Sequence, residues 1–223
     1  MKRFFIAGTD TGVGKTLVAA AFAAVLRSRG LKVAVMKPIS CGGLEDARLL
    51  KRCAECPEPM ARINPIALKH PLSPNVAATI ERKKIDLKKI DQAVAFFSKK
   101  YDALVIEGCG GLLVPVVPGF FVVDLVRRMR AECILVSRSG LGAINHSLLS
   151  LEALSQRGIR PLGIVLNRLA GGPLSIPERT NPEVIARFGR VPVLGVFPFL
   201  KNCGRVHCLG RAFVKHIDLK KLL

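Results

Sequence analysis

The stretch Gly8-Thr9-Asp10-Thr11-Gly12-Val13-Gly14-Lys15-Thr16 limits the folds open to this chain more than any other. It follows an apolar run at 4–7, which reads as a buried strand, and runs directly into 17–26, which reads as a helix. Glycines at such a turn let the backbone approach an anion closely. The first amides of the helix are unpaired and carry the positive end of its dipole, so the context predicts a phosphate-binding loop. Lys15 would reach the β- and γ-phosphates of a nucleoside triphosphate, and the Thr16 hydroxyl would ligate Mg²⁺. The usual motif has a glycine five residues before Gly14; Thr9 stands there, and the glycine comes one place earlier, at Gly8.

The rest of the chain alternates strand and helix patterns. Residues 32–36, 103–106, 133–137, 162–166 and 191–197 read as buried strands, with helical patterns at 44–54, 75–82, 86–99, 121–130, from 143 and from 180. The alternation predicts an α/β fold, a three-layer, doubly wound, mostly parallel sheet with helices on both faces. A chain of 223 residues, 50% hydrophobic, fits one domain over 1–223. Residues 57–74, with Pro57, Pro59, Pro65, Pro71 and Pro74, read as an extended surface connection.

Ligands in such sheets sit at the carboxyl ends of the strands, and three strand or helix ends carry candidate chemistry. Lys37-Pro38 puts a lysine in extended geometry at a strand tip, either on solvated surface or facing the same crevice as Lys15. Glu45 and Asp46 open a helix, where they stabilise its dipole or where Asp46 supplies a carboxylate to Mg²⁺. Glu107 ends a hydrophobic strand and is followed by Gly108-Cys109-Gly110-Gly111. That is either a tight turn or the arrangement that holds a metal opposite a phosphate loop while glycines admit a ligand. The helix start at Ala143-Ile144-Asn145-His146 is a second candidate anion site, with His146 read as structural.

With 35 Lys and Arg against 16 Asp and Glu, the net charge of +19 favours anionic partners and attracts nucleic acid non-specifically. The basic residues are dispersed, and one tyrosine and no tryptophan leave little to stack on bases, so a solvated basic surface is expected rather than specific nucleic-acid recognition. No stretch reads as a membrane span or a secretory leader, which predicts a cytoplasmic protein. Seven cysteines, an odd number, agree with a reducing compartment. Cys53-x-x-Cys56, taken with Cys203, His207 and Cys208, is half of a zinc pattern without a standard second half.

Taken together, Gly8 to Thr16, Lys37-Pro38, Ser73-Pro74, Glu107 to Gly111, Gly142 to His146 and Leu166-Asn167 resemble the dethiobiotin synthetase family of P-loop NTPases, in order and spacing along nearly the whole chain. That family uses the Gly-Thr-Asp-Thr form of the loop, so the shifted glycine fits it. The resemblance implies ATP-dependent closure of the ureido ring of dethiobiotin from 7,8-diaminopelargonate and CO2. It implies ATP as co-substrate, Mg²⁺ as cofactor, no membrane partner, and a homodimer with substrate sites at the interface.

Residue by residue, the resemblance implies that Lys37, Lys15 and Thr11 are catalytic and that Thr16, Asp46 and Glu107 hold the metal. Gly12, Val13, Gly14, Gly108, Cys109 and Gly110 would bind the nucleotide, with Asn167, Arg168, Pro198, Phe199 and Leu200 around the base. Cys41, Ser73, Ile144 and Asn145 would bind the diamine. Cys41 stands where the family usually offers a hydroxyl to the substrate, and a thiol is a weaker donor. Two other readings share the loop: a partitioning-type switch ATPase that binds DNA through its basic surface, and a related amide-forming ligase. The first typically carries a second lysine early in the loop, where this chain has Asp10 and Thr11. The second would not need Lys37-Pro38.

Overall fold

The computed structural model describes residues 1–201 and 206–222, so Cys203, named above with the zinc pattern, lies outside the described residues. In chain order the elements are β1 (Lys2–Gly8), α1 (Lys15–Ser28), β2 (Val33–Met36), β3 (Ile39–Cys41), α2 (Glu45–Ala54), α3 (Met60–Ile63), β4 (Ile66–Leu68), α4 (Pro74–Ile80), α5 (Leu87–Lys100) and β5 (Ala103–Glu107). There follow β6 (Pro115–Val117), β7 (Phe120–Phe121), α6 (Val122–Arg128), β8 (Glu132–Arg138), α7 (Ala143–Ser155), β9 (Gly163–Asn167), α8 (Ile176–Gly189), β10 (Val193–Phe197), α9 (Val206–His216) and a 3-10 turn at Leu219–Lys221.

Six strands form one sheet in the order β10-β9-β8-β1-β5-β2, and every pairing in it is parallel. β5 and β9 are buried at every position, and so is β1 from Phe4 to Gly8. Strands like these have both faces covered, which is why they read in sequence as unbroken hydrophobic runs rather than as alternation. α1, α2 and α9 pack together as one layer, and α7 packs on α8. Phe22 of α1 joins the layers: its ring meets Phe4 of β1 edge-on at 5.0 Å and stacks with Phe213 of α9 at 5.5 Å.

From β1 the chain winds first toward β5 and β2, then crosses back to β8, β9 and β10. The order therefore reverses at β1, and the loop that follows β1 opens where a doubly wound sheet leaves its crevice.

The expectation of an extended surface connection over 57–74 is not what the structure has. Within it lie α3 and β4, and β4 pairs in parallel with β3 through Ile39↔Ile66, Ser40↔Ala67 and Cys41↔Leu68. Ile63, Asn64, Ile66 and Leu68 are buried. The prolines punctuate short elements here instead of preventing them, and Pro59 serves as the N-cap of α3. Cys53 and Cys56 are free thiols packed in the hydrophobic core.

Candidate active site

The loop after β1 has the backbone that its glycines allow. Gly12 and Gly14 sit at φ 74° and 93°, a region that side chains disfavour. At Gly14 an added Cβ would fall 2.0 Å from Nδ2 of Asn167, so conformation and space both demand glycine there. Among the described residues no side chain caps α1 and no acidic residue stands in its first turn. Its leading amides are left for an anion.

Lys15 is buried and folds back over the loop, close enough that a Cβ on Gly8 would lie 2.7 Å from its Nζ. Its Nζ donates to the carbonyl of Asp10 at 2.7 Å. Burial, aided by the neighbouring charge of Lys37, lowers its pKa below that of an ordinary lysine.

Lys37 comes to the same place from another strand. The pairing Met36↔Ile106 brings Lys37 and Glu107 abreast at the carboxyl ends of β2 and β5. Lys37 Nζ donates to Glu107 Oε1 at 2.5 Å and to Asp46 Oδ2 at 2.8 Å, while Thr16 donates its hydroxyl to the same Glu107 oxygen at 2.8 Å. Burial opposes charge on Lys37, but the carboxylates of Glu107 and Asp46 outweigh it and raise its pKa. Burial also opposes charge on Asp46, yet Lys37 brings that carboxyl below its usual range. Glu107 is 1% exposed, and burial holds its carboxyl above the usual range against the pull of Lys37. Its second oxygen, Oε2, is buried with no hydrogen-bond partner among the described residues.

The backbone of Lys37 is fixed by the segment that read as a surface connection. Its N-H donates to Ile63 O at 2.9 Å, and its carbonyl accepts from Asn64 Nδ2 at 2.6 Å. Neither contact carries a signal in the sequence, because each depends on short elements whose pairing is decided at long range.

One cavity of about 560 Å³ gathers most of the expected site: Thr11, Gly12, Gly14, Lys15, Thr16, Lys37, Cys41, Asp46, Ser73, Glu107, Cys109 and Gly110. Val13 contributes backbone only, since its side chain is buried in the core. Burial, with Cys109 and Glu81 nearby, pushes the Cys41 thiol up to about 12, so it stays neutral. Ser40, Pro71 and Leu72 also line the cavity and were not anticipated.

Ile144 and Asn145, at the start of α7, are not part of this cavity. Asn167 reaches the loop from β9, with Nδ2 donating to Val13 O at 3.0 Å and Oδ1 without a partner among the described residues. Arg168 is held by Glu178, its Nε donating to Oε1 at 2.9 Å, and by the carbonyl of Gly172 at 2.9 Å. Phe199 is 40% exposed beside Gly171, two residues past the carboxyl end of β10.

A family model described as an AAA domain matches residues 2–207. The ATP-dependent dethiobiotin synthetase BioD of Thermodesulfovibrio yellowstonii is 40% identical, over 99% of this chain and 98% of its own length. The ATP-dependent dethiobiotin synthetase BioD of Methanococcus vannielii is 36% identical, over 98% of each. Among solved structures, the MinC:MinD cell division protein complex of Aquifex aeolicus superposes with a TM-score of 0.54 at 17% identity, over 95% of this chain and 86% of that one. At that identity the likeness is one of fold alone. Identity at this level along nearly the full length of both relatives makes the chain a member of the ATP-dependent dethiobiotin synthetase family.

Proposed function

We propose that this chain closes the ureido ring of dethiobiotin from 7,8-diaminopelargonate, CO2 and ATP, releasing ADP and phosphate. The observation that carries the reading is the meeting of Lys15 and Lys37 beside Thr16, Asp46 and Glu107 at the mouth of an uncapped helix. One amine of the substrate captures CO2 as a carbamate and loses a proton. A carbamate oxygen attacks the γ-phosphorus of ATP and ADP leaves. The second amine attacks the carbonyl carbon of the mixed anhydride, phosphate leaves with the bridging oxygen, and the ring closes. Negative charge gathers on the carbamate and on the phosphoryl group in transfer, so fixed positive groups aimed at both supply most of the stabilisation.

In this reading the amides from Gly12 to Thr16 hold the phosphates and Thr11 adds a further contact. Lys37, kept protonated by its two carboxylates, faces the reacting phosphate and carbamate together with Lys15. Thr16, Asp46 and Glu107 fit Mg²⁺: all three offer oxygen, and Glu107 Oε2 is a buried acceptor without a hydrogen-bond partner among the described residues. Held by these residues, the cation would offset the charge of the triphosphate. Asn167, Arg168 and the segment from Pro198 to Leu200 form the adenine end, and Ser73 and Cys41 the diamine wall.

The proposal extends to a homodimer. Ile144 and Asn145 stand apart from the cavity, and a second copy would bring such a helix start to it. Leu113, Leu141 and Leu149 are 54%, 85% and 57% exposed, and Leu113 and Leu149 share a hollow with Leu112 and Ala153, an apolar surface suited to a partner. Free buried thiols support a reducing compartment, the cytoplasm. No helix among the described residues is long and apolar enough to cross a membrane.

The test is conversion of 7,8-diaminopelargonate by purified protein. Dethiobiotin forming only with ATP, Mg²⁺ and bicarbonate all present supports the reading; folded protein that binds ATP and makes no product contradicts it.

A further inference from the structure

Two buried polar atoms without a partner among the described residues belong to residues that line the large cavity, Glu107 Oε2 and Ser40 Oγ. The first has a use in the proposed metal site. The second does not. Ser40 is 3% exposed and sits in β3, three residues beyond Lys37 and one before Cys41. A hydroxyl withdrawn from water with nothing to bond costs stability, and native structures keep such groups rarely.

The strand around it shows why position 40 rather than 41 holds the stronger polar group on this wall. Cys41 is a thiol held neutral by burial, a weak donor and a weak acceptor. Ser40 can donate one hydrogen bond and accept two. Its backbone is fixed by the parallel ladder to β4, where it pairs with Ala67, and it lines the same cavity as Lys37. A hydroxyl without a partner among the described residues, on a paired strand that lines the same cavity as Lys37, is suited to an anionic oxygen of a bound ligand.

We propose that Ser40 is a substrate-binding residue, its hydroxyl donating to the carbamate formed on the diamine beside Lys37. This rests on the proposed ring closure and deepens it by moving the polar contact of the diamine wall from Cys41 to Ser40.

Ser40→Ala separates this role from a structural one. A hydrogen bond to a charged group contributes about 1.5–3 kcal/mol, so kcat/KM for the diamine should fall about 10- to 100-fold, with the affinity for Mg·ATP unchanged. Because the hydroxyl has no partner among the described residues, the same substitution should leave the melting temperature unchanged or raise it. Ser40→Thr, which keeps the hydroxyl, should recover part of the lost turnover. Wild-type protein assayed alongside tells the two proposals apart, since absence of wild-type turnover contradicts ring closure itself. Given wild-type turnover, Ser40→Ala within about twofold of wild type overturns the assignment. So does a loss matched by a fall in melting temperature, or a larger loss in Cys41→Ala than in Ser40→Ala.

Discussion

Lys15 and Lys37 are both buried, both in the same cavity, and their pKa values move in opposite directions. Lys15 bonds a backbone carbonyl and is pressed toward neutrality by burial and by its neighbour's charge. Lys37 is clasped by Glu107 and Asp46, which hold its proton in place. Burial alone therefore does not set the charge of a lysine; its nearest carboxylates do. One site thus contains a lysine pressed toward neutrality and a lysine whose charge its carboxylates sustain.

The comparison breaks if the two lysines respond alike to removal. Under the proposed function, Lys37→Ala should lower turnover by at least ~10²-fold with ATP binding largely kept, as expected for a group acting on charge that develops in the transition state. It should also destabilise the protein by about 3–5 kcal/mol, because Glu107 is left buried without its counter-charge. Lys15→Ala should weaken ATP binding about 10- to 100-fold, the loss of a charge-assisted bond to phosphate, while stability is unchanged or gained. Denaturant melts and nucleotide titrations of the two variants check this. Equal destabilisation would show that the two environments do not differ.

Asn64→Ala sharpens the account of how Lys37 is held. It removes the bonds to Lys37 O and Ile66 O, at 2.6 and 3.3 Å, and should cost about 1–3 kcal/mol. Turnover should fall while ATP affinity holds, since the phosphate loop is untouched; a parallel loss of ATP affinity would mean the two halves of the site are not separable.

The smallest effect is in the alkaline stability curve of the ligand-free protein. Lys37, with its pKa raised, contributes stability that is present below the ordinary lysine value of 10.5 and is lost as pH climbs toward the folded value. Lys15, with its pKa lowered, does the reverse, so stability rises as pH climbs from its folded value toward 10.5. Lys37→Met should flatten the alkaline fall and Lys15→Met should steepen it. Identical slopes in the two variants would remove the distinction.

The two lysines also mark how far the sequence could be read. The loop from Gly8 to Thr16 is local: strand, glycines and helix lie within one contiguous stretch, so its geometry follows from the residues themselves. Lys37 and Glu107 were legible as strand ends because buried parallel strands are strong hydrophobic runs, and the crevice lies at their carboxyl tips. What the sequence did not reveal depends on three-residue strands. The pairing of β3 with β4 turns a proline-rich stretch into the brace for Lys37, through Ile63 and Asn64. It also fixes Ser40 at the cavity. Three residues carry no usable period, so no local pattern announces such a pair.

The most direct test of carbamate phosphorylation follows one oxygen atom. With C18O2 mixed rapidly with enzyme, ATP, Mg²⁺ and the diamine in unlabelled water, the carbamate oxygen that attacks the γ-phosphorus must leave with the released phosphate. The account predicts one 18O atom in the inorganic phosphate for each ring closed. Phosphate free of 18O would mean that water rather than the carbamate attacks ATP, and would contradict it.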